Sequence, residues 1–590
     1  MKLSLVKIIG FRNFKNASIS LNEKTLVIGT NDIGKTNLIW AIRILLDRGL
    51  SDIDIEPKDS DFYAYEDTNS FQIILKFEDV IEDCIVAKLK GMIRDDDKLF
   101  ISYEATRDSV TNSKSYKILI GPSEDTMEEV QERYYRKVLN IKYISSNRDF
   151  WGYIQKEKNS LFQIAKDDRD NNTKTEDDVL YSKIADDLSK IDNEIPKLSY
   201  IKNATLSINT ELSKMSVYHK NQKIVFNSAT SNIDNFISST AISSEYNEKK
   251  LLIGGDGRLN QIYLSLWAAK NSLKEDNMSE VSLVCIEEPE VHLHPHQQRK
   301  LAEYLNSIIK GQVIITSHSA QITSEFSPNS IVRLLNKGNG TIAASEGCSE
   351  IIDKAFEDFG YRMSIIPAEA FFADCVLLVE GASEVLFYKT LAKQLDLDLD
   401  RLNISILSAE GVGFKVFIEI LNSLEINWVL RTDNDIFKVP RREEYRFAGV
   451  QRIIDILEEH CNCDKDTEEI INKNRPLLRG FSSLIPPQAN IDAANLIKEG
   501  LAFYRLFLAN KDLENDLFES PLNKSLIQYY TELGVYTYNI IAEMQNRKAS
   551  SMFAFLKKNK ADLLLLKDDQ LAQPLFACKE IIEEQLNEAD

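Results

Sequence analysis

Gly29-Thr30-Asn31-Asp32-Ile33-Gly34-Lys35-Thr36 is a complete match to G-x-x-x-x-G-K-[ST]. The apolar run Leu26-Val27-Ile28 enters it, and Leu38, Ile39, Ala41, Ile42, Leu45 and Leu46 follow it at helical spacing. Strand, glycine turn and helix is the context in which the motif carries chemistry. The glycines let backbone N–H groups turn inward around a phosphate, and the helix start adds positive potential. Gly29, Asn31, Gly34 and Asn37 are therefore candidate nucleotide-binding positions. Lys35 is placed to reach the β- and γ-phosphates, and the Thr36 hydroxyl to hold Mg²⁺. The ligand this predicts is ATP.

Two later stretches complete the nucleotide site. Val281-Ser282-Leu283-Val284-Cys285-Ile286 reads as a buried strand ending in Glu287-Glu288-Pro289-Glu290. Neighbours on a strand point to opposite faces, so the two acids have different tasks. Glu287 is assigned to the Mg²⁺ shell and Glu288 to polarising the attacking water. Val313-Ile314-Ile315 is a second buried strand, ending in Thr316-Ser317-His318-Ser319, with His318 placed to sense the γ-phosphate.

The bulk numbers bound the rest. At 590 residues, a prior of roughly 150 residues per domain suggests three or four units. An apolar fraction of 43% supports real cores. No run of apolar residues is long enough to span a membrane, and Met1 to Phe14 carries charge through its apolar part, unlike a signal peptide. The 7 cysteines have no framework spacing, as expected in a reducing cytoplasm. A net charge of −20 argues against generalised nucleic-acid binding. It does not exclude a nuclease, because carboxylates that bind Mg²⁺ become locally cationic.

Lys2 to Ile9 alternates loosely and predicts an edge strand, and a second strand is expected around Ala17 to Leu21. Between them lies Phe11-Arg12-Asn13-Phe14, whose rings are assigned to the core rather than to adenine stacking. Short β-rich runs at Phe71–Phe77, Leu99–Tyr103 and Tyr116–Ile120 predict a meander, with Gln72 a weak candidate for metal sensing. Residues 155–240 are polar, with helical spacing at Ile184, Leu188, Ile191 and Ile195 and again from Leu206 to Met215. They predict a compact helical insertion, a possible dimer contact, with no visible chemistry. Gly254-Gly255-Asp256-Gly257-Arg258 opens a helix and is a partial match to a cassette-ATPase signature. His292, His294 and His296 alternate, and the bland assignment, a loop after the acidic motif, outweighs zinc. His460-Cys461-Asn462-Cys463 lacks a partner pair and is assigned a structural role.

The second half begins after a connector to about Glu369. Val376-Leu377-Leu378-Val379 predicts a buried strand ending in Glu380-Gly381-Ala382-Ser383-Glu384. Glu380 and Glu384 are one helical turn apart and can face one point. Ile404 to Leu407 is the next strand, with Ser408-Ala409-Glu410-Gly411 at its tip. Trp428-Val429-Leu430 is the third, ending in Arg431-Thr432-Asp433-Asn434-Asp435. Three parallel strands with polar tips predict an open α/β sheet whose ligands sit at the carboxyl ends. Glu380, Glu384, Asp433 and Asp435 supply hard oxygens suited to Mg²⁺ or Mn²⁺. Two such ions ~3.5–4 Å apart activate water and steady the leaving 3′ oxygen in phosphodiester cleavage. Residues 440–500 are expected to be an insertion, helical at Val450 to Leu457 and otherwise loop-rich. Lys438, Arg441 and Arg442 lie at its start, where phosphates or solvent would meet them. A strand is expected again at Phe503 to Leu508.

The opening strands, glycine motif and acidic strand resemble the cassette-type ATPases of the RecF and SMC kind. The order Glu, Gly, Asp-x-Asp resembles the Toprim domain of topoisomerases, primases and the OLD (overcoming lysogenisation defect) nucleases. Together they predict an α/β fold: an ABC-type ATPase domain with a helical insertion, followed by a C-terminal Toprim domain. The expected bounds are 1–154 and 241–355 for the ATPase, 155–240 for the insertion and 370–590 for the Toprim domain. Over nearly the full length the chain is similar to the OLD family, and more narrowly to the ATPase–nuclease subunits of the Gabija anti-phage systems. That resemblance implies that Glu514 and Asp516 complete the metal cluster and that Lys548 stabilises the pentavalent phosphate. It also implies DNA cleavage with two Mg²⁺ or Mn²⁺ ions, a homo-oligomer (dimer or tetramer) and a UvrD-like helicase partner. The rival class is a RecF- or SMC-like clamp that holds DNA without cutting it. A topoisomerase would need a tyrosine nucleophile, which the sequence does not single out.

Overall fold

A computed structural model describes the chain except residues 94–95, 147–149, 216–222, 226–232, 247, 252–253, 274–279, 309–310, 349–367, 410–412, 440 and 590. The connector before Glu369, the tip residues Glu410 and Gly411 and the residue before Gly254 thus lie partly or wholly outside the described residues. Two compact units emerge: Met1–Ile144 with Ser279–Glu290 and Pro295–Asp590, and Ser145–Met278 with Val291–His294.

The larger unit opens with an antiparallel sheet. Lys2–Phe11 pairs with Phe14–Ser20 on one side and with Ser70–Glu78 on the other. It is therefore an interior strand, not the edge its loose alternation suggested, and both its faces are largely covered. Leu99–Arg107 and Lys114–Gly121 continue the sheet as the expected meander. The second sheet carries the nucleotide motif. Lys24–Ile28 lies between Val313–Thr316 and Ile331–Lys337, parallel to both. Beyond Val313–Thr316 come Val281–Glu287 and then Leu139–Ile144, again parallel. This arrangement brings the end of Val281–Glu287 beside the end of the P-loop strand, through the pairs Glu287–Thr316 and Thr316–Val27. Phe11 and Phe14 are fully buried among Leu38, Ile42, Leu45 and Tyr103, each contributing about 2–3 kcal/mol by burial.

The third sheet is wholly parallel, in the order Ile404–Ser408, Cys375–Val379, Asn427–Thr432, Leu506–Leu508. The last strand starts at Leu506 because Ala502–Tyr504 forms a 3₁₀ turn and Arg505 takes a left-handed conformation. Cys375, Leu377 and Val379 are buried with Phe387, Leu517 and Phe555 in one core, so the sheet is packed on the helices that follow it. Between the third and fourth strands the chain is mainly helical: Ala448–His460, Lys465–Leu478 and Gln488–Leu501. The expectation of a loop-rich stretch after Leu457 is corrected. Ile471, Ala493, Ala494 and Ile497 bury an apolar face that the intervening charges hide from a periodicity count.

The smaller unit contains the helices Phe150–Asp167, Asn171–Glu194, Ser199–Met215 and Asp256–Leu273. Tyr153 and Tyr263 meet at 5.6 Å between ring centroids. Among the described residues, no helix is long and apolar enough to cross a membrane.

Candidate nucleotide site and acidic active site

The glycine loop is held from below by the Phe11-Arg12-Asn13-Phe14 turn. Gly34 has φ 105°, and a Cβ there would lie 2.2 Å from Asn13 Nδ2. Both the left-handed backbone and the close approach demand glycine. Asn13 Nδ2 donates to Ile33 O at 2.7 Å, and the Thr341 hydroxyl donates to the same carbonyl at 2.8 Å. Asn37 donates to Asn13 Oδ1 at 2.7 Å and accepts from Arg12 at 2.8 Å, and Arg12 pairs with Asp61. The Asn37 side chain thus props the loop. Lys35 curls over the loop it belongs to, donating to Gly29 O at 3.0 Å and Thr30 O at 2.8 Å. Burial lowers its pKa to about 8, against the pull of Glu288, Asp32 and Glu290. Asn31 and Asp32 are exposed on the loop, and Thr36 lies in the first turn of the helix Lys35–Leu46. The residues present fit a nucleotide phosphate, because among the described residues the buried Lys35 ammonium donates its hydrogen bonds to carbonyl oxygens of its own loop.

Glu287 closes its strand in a buried position and accepts from the Tyr143 hydroxyl at 2.8 Å. Glu288 leaves the strand with φ 42°, its N–H on Thr316 O at 2.9 Å, and its Oε1 lies 3.5 Å from His318 Nε2. The two acids therefore occupy different surroundings. Burial, followed by the charge of Lys35, lowers the His318 pKa, so its ring is neutral at pH 7. Glu290 received no role from the sequence. It accepts from the Ser317 hydroxyl at 2.7 Å and from the His318 N–H at 2.8 Å, fixing the tip that carries His318. Gln72 donates to Glu104 at 2.8 Å across the antiparallel sheet. In the smaller unit, His292 lies 4.0 Å from Asp256 and Asn260 donates to Val291 O, so the glycine-rich helix start packs on the His292 loop.

At the carboxyl end of the parallel sheet the predicted acids gather, with three cations among them. Glu380 Oε1 accepts from the Asp433 N–H at 2.9 Å, from the Thr432 hydroxyl and from Arg452. Arg452 is delivered by the helix Ala448–His460, which can approach because its second residue is Gly449. A Cβ there would lie 2.1 Å from Asp433 O. Glu384 accepts N–H bonds from Glu380 at 2.7 Å and Gly381 at 3.0 Å, and its other oxygen pairs with Arg431. Asp516 accepts from Arg431 Nη2 at 2.9 Å and from the Asn510 N–H at 3.0 Å. Burial raises the Asp433 pKa to about 8, and Glu384 adds to the effect. Burial also raises Asp435 and Glu514. Lys548 begins the helix Lys548–Asn559, 3.9 Å from Glu514 Oε2. Burial opposes its charge, but Glu514, Asp433 and Asp512 outweigh that and raise its pKa.

The six carboxylates expected to share metal ions differ in how their oxygens are engaged. Among the described residues no three His, Cys, Asp or Glu side chains stand in metal-holding geometry. The Arg431 guanidinium takes the oxygens of Glu384 and Asp516 that a shared ion would need. The remaining donors are hard oxygens, the type a divalent cation takes. Among the described residues, both oxygens of Glu514 and Oδ1 of Asp433 are buried without a hydrogen-bond partner, and an orphaned buried carboxylate is costly unless a cation joins it. Arg431, Arg452 and Asp512 had no role in the sequence argument. Arg431 is the penultimate residue of the strand Asn427–Thr432, two residues before Asp433, which was the available signal.

A glycine-loop ATPase sheet followed by a parallel sheet with acids at its carboxyl edge defines a P-loop ATPase joined to a Toprim domain. The chain belongs to the AAA ATPase domain family, whose model matches residues 1–323, and carries an Overcoming lysogenization defect protein-like TOPRIM domain at residues 371–435. It is 24% identical over 545 residues to endonuclease GajA of Bacillus cereus (strain VD045), spanning 88% of this chain and 90% of that protein. It is 24% identical over 474 residues to the Old nuclease of Escherichia phage P2, spanning 74% of this chain and 77% of that protein. Among solved structures, an SMC head bound to the C-winged helix domain of ScpA overlaps 58% of this chain and 97% of its own, at 12% identity and a TM-score of 0.34.

Proposed function

We propose that this chain is an ATP-gated, metal-dependent DNA endonuclease. Its ATPase spans 1–154 and 241–355, interrupted by a helical insertion at 155–240, and its Toprim nuclease domain spans 370–590. The observation that carries this is the convergence of Glu380, Asp433, Glu514 and Lys548 at one edge of a parallel sheet, with buried carboxylate oxygens lacking partners. Glu380, Asp433, Asp435 and Glu514 would hold Mg²⁺ or Mn²⁺, which when bound polarises the phosphate and lowers the pKa of water. The expected pair of ions draws on Glu384 and Asp516 as well, and these reach an ion only if Arg431 lets go of them.

The chain's own residues do the rest. Lys548 places a cation where charge gathers on the phosphate, the kind of donor worth about 10²–10³ in rate. Arg452 and Thr432 fix the Glu380 carboxylate. In the ATPase half, Lys35 meets phosphate, Glu287 faces the magnesium side, Glu288 orients water, and His318 reads the γ-phosphate beside Glu288. The nuclease names of the relatives support DNA as substrate, and the Gabija-like sequence supports anti-phage defence with a UvrD-like helicase. Exposed Val179, Leu180 and Leu206 in the smaller unit support a homo-oligomer.

Plasmid nicking with Mg²⁺ or Mn²⁺ tests the central claim. Wild type is expected to cut, and Glu380→Ala and Lys548→Ala to lose about 100-fold or more. Equal nicking by wild type and Glu380→Ala removes Glu380 from the mechanism. ATP-dependent DNA binding with no cleavage, alone or with a helicase, favours the clamp.

A further inference from the structure

The chain leaves the acidic edge of the parallel sheet through a small ribbon. Asp433 and Asp435 follow the strand Asn427–Thr432, and the strand Ile436–Lys438 begins directly after them. It pairs antiparallel with Tyr445–Phe447, which pairs in turn with Arg479–Phe481. The Ala448 N–H, just past the second strand, donates to Asp435 O at 2.8 Å. Both arms of the hairpin are therefore rooted at the acids.

The two faces of this ribbon differ. Phe447 and Phe481 are buried, with ring centroids 5.1 Å apart, and Ile436 is the register partner of Phe447. That face is packed. Residues directly opposite on an antiparallel pair share a face, and neighbours along a strand take the other. Phe437 and Arg446 are direct partners, so they stand together on the outer face. Phe437 is 51% exposed, and Arg446 is exposed beside it.

Charge is also divided. From Phe437 to Phe447 the sequence holds Lys438, Arg441, Arg442 and Arg446 against Glu443 and Glu444, a local positive excess in a chain of net charge −20. Lys438 pairs with Glu443 at 2.9 Å and Arg442 with Glu444 at 3.8 Å. Among the described residues, no ion pair engages Arg441 or Arg446. An exposed guanidinium without an acid matches a phosphate, and an exposed ring matches a flat apolar face. Each nucleotide of DNA supplies both. In a duplex the base faces are stacked on one another, so only an unpaired base can offer its face to a ring on a protein surface.

We propose that the outer face of the ribbon Ile436–Phe447 is a docking surface for single-stranded DNA, with Phe437 stacking on an unpaired base and Arg441 and Arg446 meeting the flanking phosphates. The strand presented to the acids is then an unpaired one. The inference rests on the reading of the acidic edge as a DNA-cutting site.

The test is fluorescence anisotropy of the full chain in EDTA, which suppresses cutting, with a labelled oligonucleotide of about 20 nucleotides, single-stranded or in a duplex of the same sequence. The wild type is expected to bind the single strand more tightly. Phe437→Ala should weaken single-strand binding about 10-fold or more and leave duplex binding nearly unchanged, while Phe437→Trp keeps the affinity. Arg446→Gln should weaken single-strand binding and make its salt dependence shallower. Tighter binding of the duplex by the wild type, equal losses on both forms in Phe437→Ala, or unchanged single-strand affinity in Phe437→Ala or Arg446→Gln overturns the inference. Plasmid nicking by the wild type with Mg²⁺ or Mn²⁺ decides the underlying reading separately. Nicking alongside any of those outcomes overturns the docking surface alone, and absence of both nicking and DNA binding overturns the two together. Both side chains are exposed, and an unchanged circular dichroism spectrum checks that each variant has folded.

Discussion

Arg333 lies in register with Ile28, the last residue of the P-loop strand, and its guanidinium donates to Ala373 O at 3.0 Å, at the foot of the Toprim sheet. The same side chain reaches Asp374 at 3.2 Å, and Leu424 O and Glu425 O at the end of the helix Phe414–Ser423, at 3.2 and 3.1 Å. One buried cation thus ties the strand beside the P-loop strand to the amino ends of two strands of the Toprim sheet. Beside it a cleft of about 760 Å³ runs from Gly29 and Thr30 to Trp428 and Arg505.

Replacing Arg333 with Met should therefore destabilise the chain. Removing one partner of a buried charged cluster costs about 3–5 kcal/mol, here by leaving carbonyls and Asp374 without their donor. Urea unfolding of the full chain should show the midpoint falling, and any effect of ATP on plasmid nicking should shrink. Unchanged stability would remove Arg333 as a strut.

ATP binding should take up protons above neutral pH. The Lys35 pKa stands at about 8 in the empty loop, and an adjacent phosphate favours the charged ammonium and raises it. Calorimetry at pH 8.5 in buffers of different ionisation enthalpy should report proton uptake, lost in Lys35→Met. The sign for stability follows from the same shift. Between pH 8 and about 10.5 the unfolded lysine binds a proton that the folded one has released, so this residue's contribution to stability rises with pH across that window. Lys35→Met should flatten that slope.

Glu290→Ala should separate nucleotide binding from hydrolysis. The acid touches Ser317 and the His318 N–H, while Lys35 keeps its own partners on the loop. Hydrolysis is expected to fall about 10-fold or more, through loss of the His318 position beside Glu288, with ATP affinity changed much less. Equal losses in both would place Glu290 in binding.

Gly449→Ala should disturb the nuclease site from outside it. The added methyl would lie 2.1 Å from Asp433 O, so the helix carrying Arg452 must back away. Overpacking of this kind costs about 1–3 kcal/mol, and the displaced Arg452 should lower nicking while ATP hydrolysis persists. Wild-type nicking by this variant would show that the Arg452–Glu380 pair is dispensable.

The amino-acid order alone determined the glycine loop, the two acidic strand tips and the alternation of buried strands with helices, because those signals are local. A glycine–lysine turn between strand and helix, or an acid directly after four apolar residues, needs no distant partner to be read. It also placed Asp433 and Asp435 just after a strand and Glu384 one helical turn beyond Glu380, whereas Glu514 and Asp516 entered only through the family resemblance. The stretch after Leu457 reads as loop-rich because charges break up the apolar face of its helices, which only packing reveals.

What the folded molecule decided is which charges neutralise which. Glu384 and Arg431 are far apart in sequence, as are Arg452 and Glu380, and Arg333 and Ala373. No spacing rule joins such pairs, because the energy of a buried charge depends on what surrounds it in space. The sequence therefore supplied a set of acids, and the tertiary structure divided them, giving Glu384 and Asp516 to an arginine and leaving Asp433 and Glu514 with buried oxygens that no donor among the described residues meets.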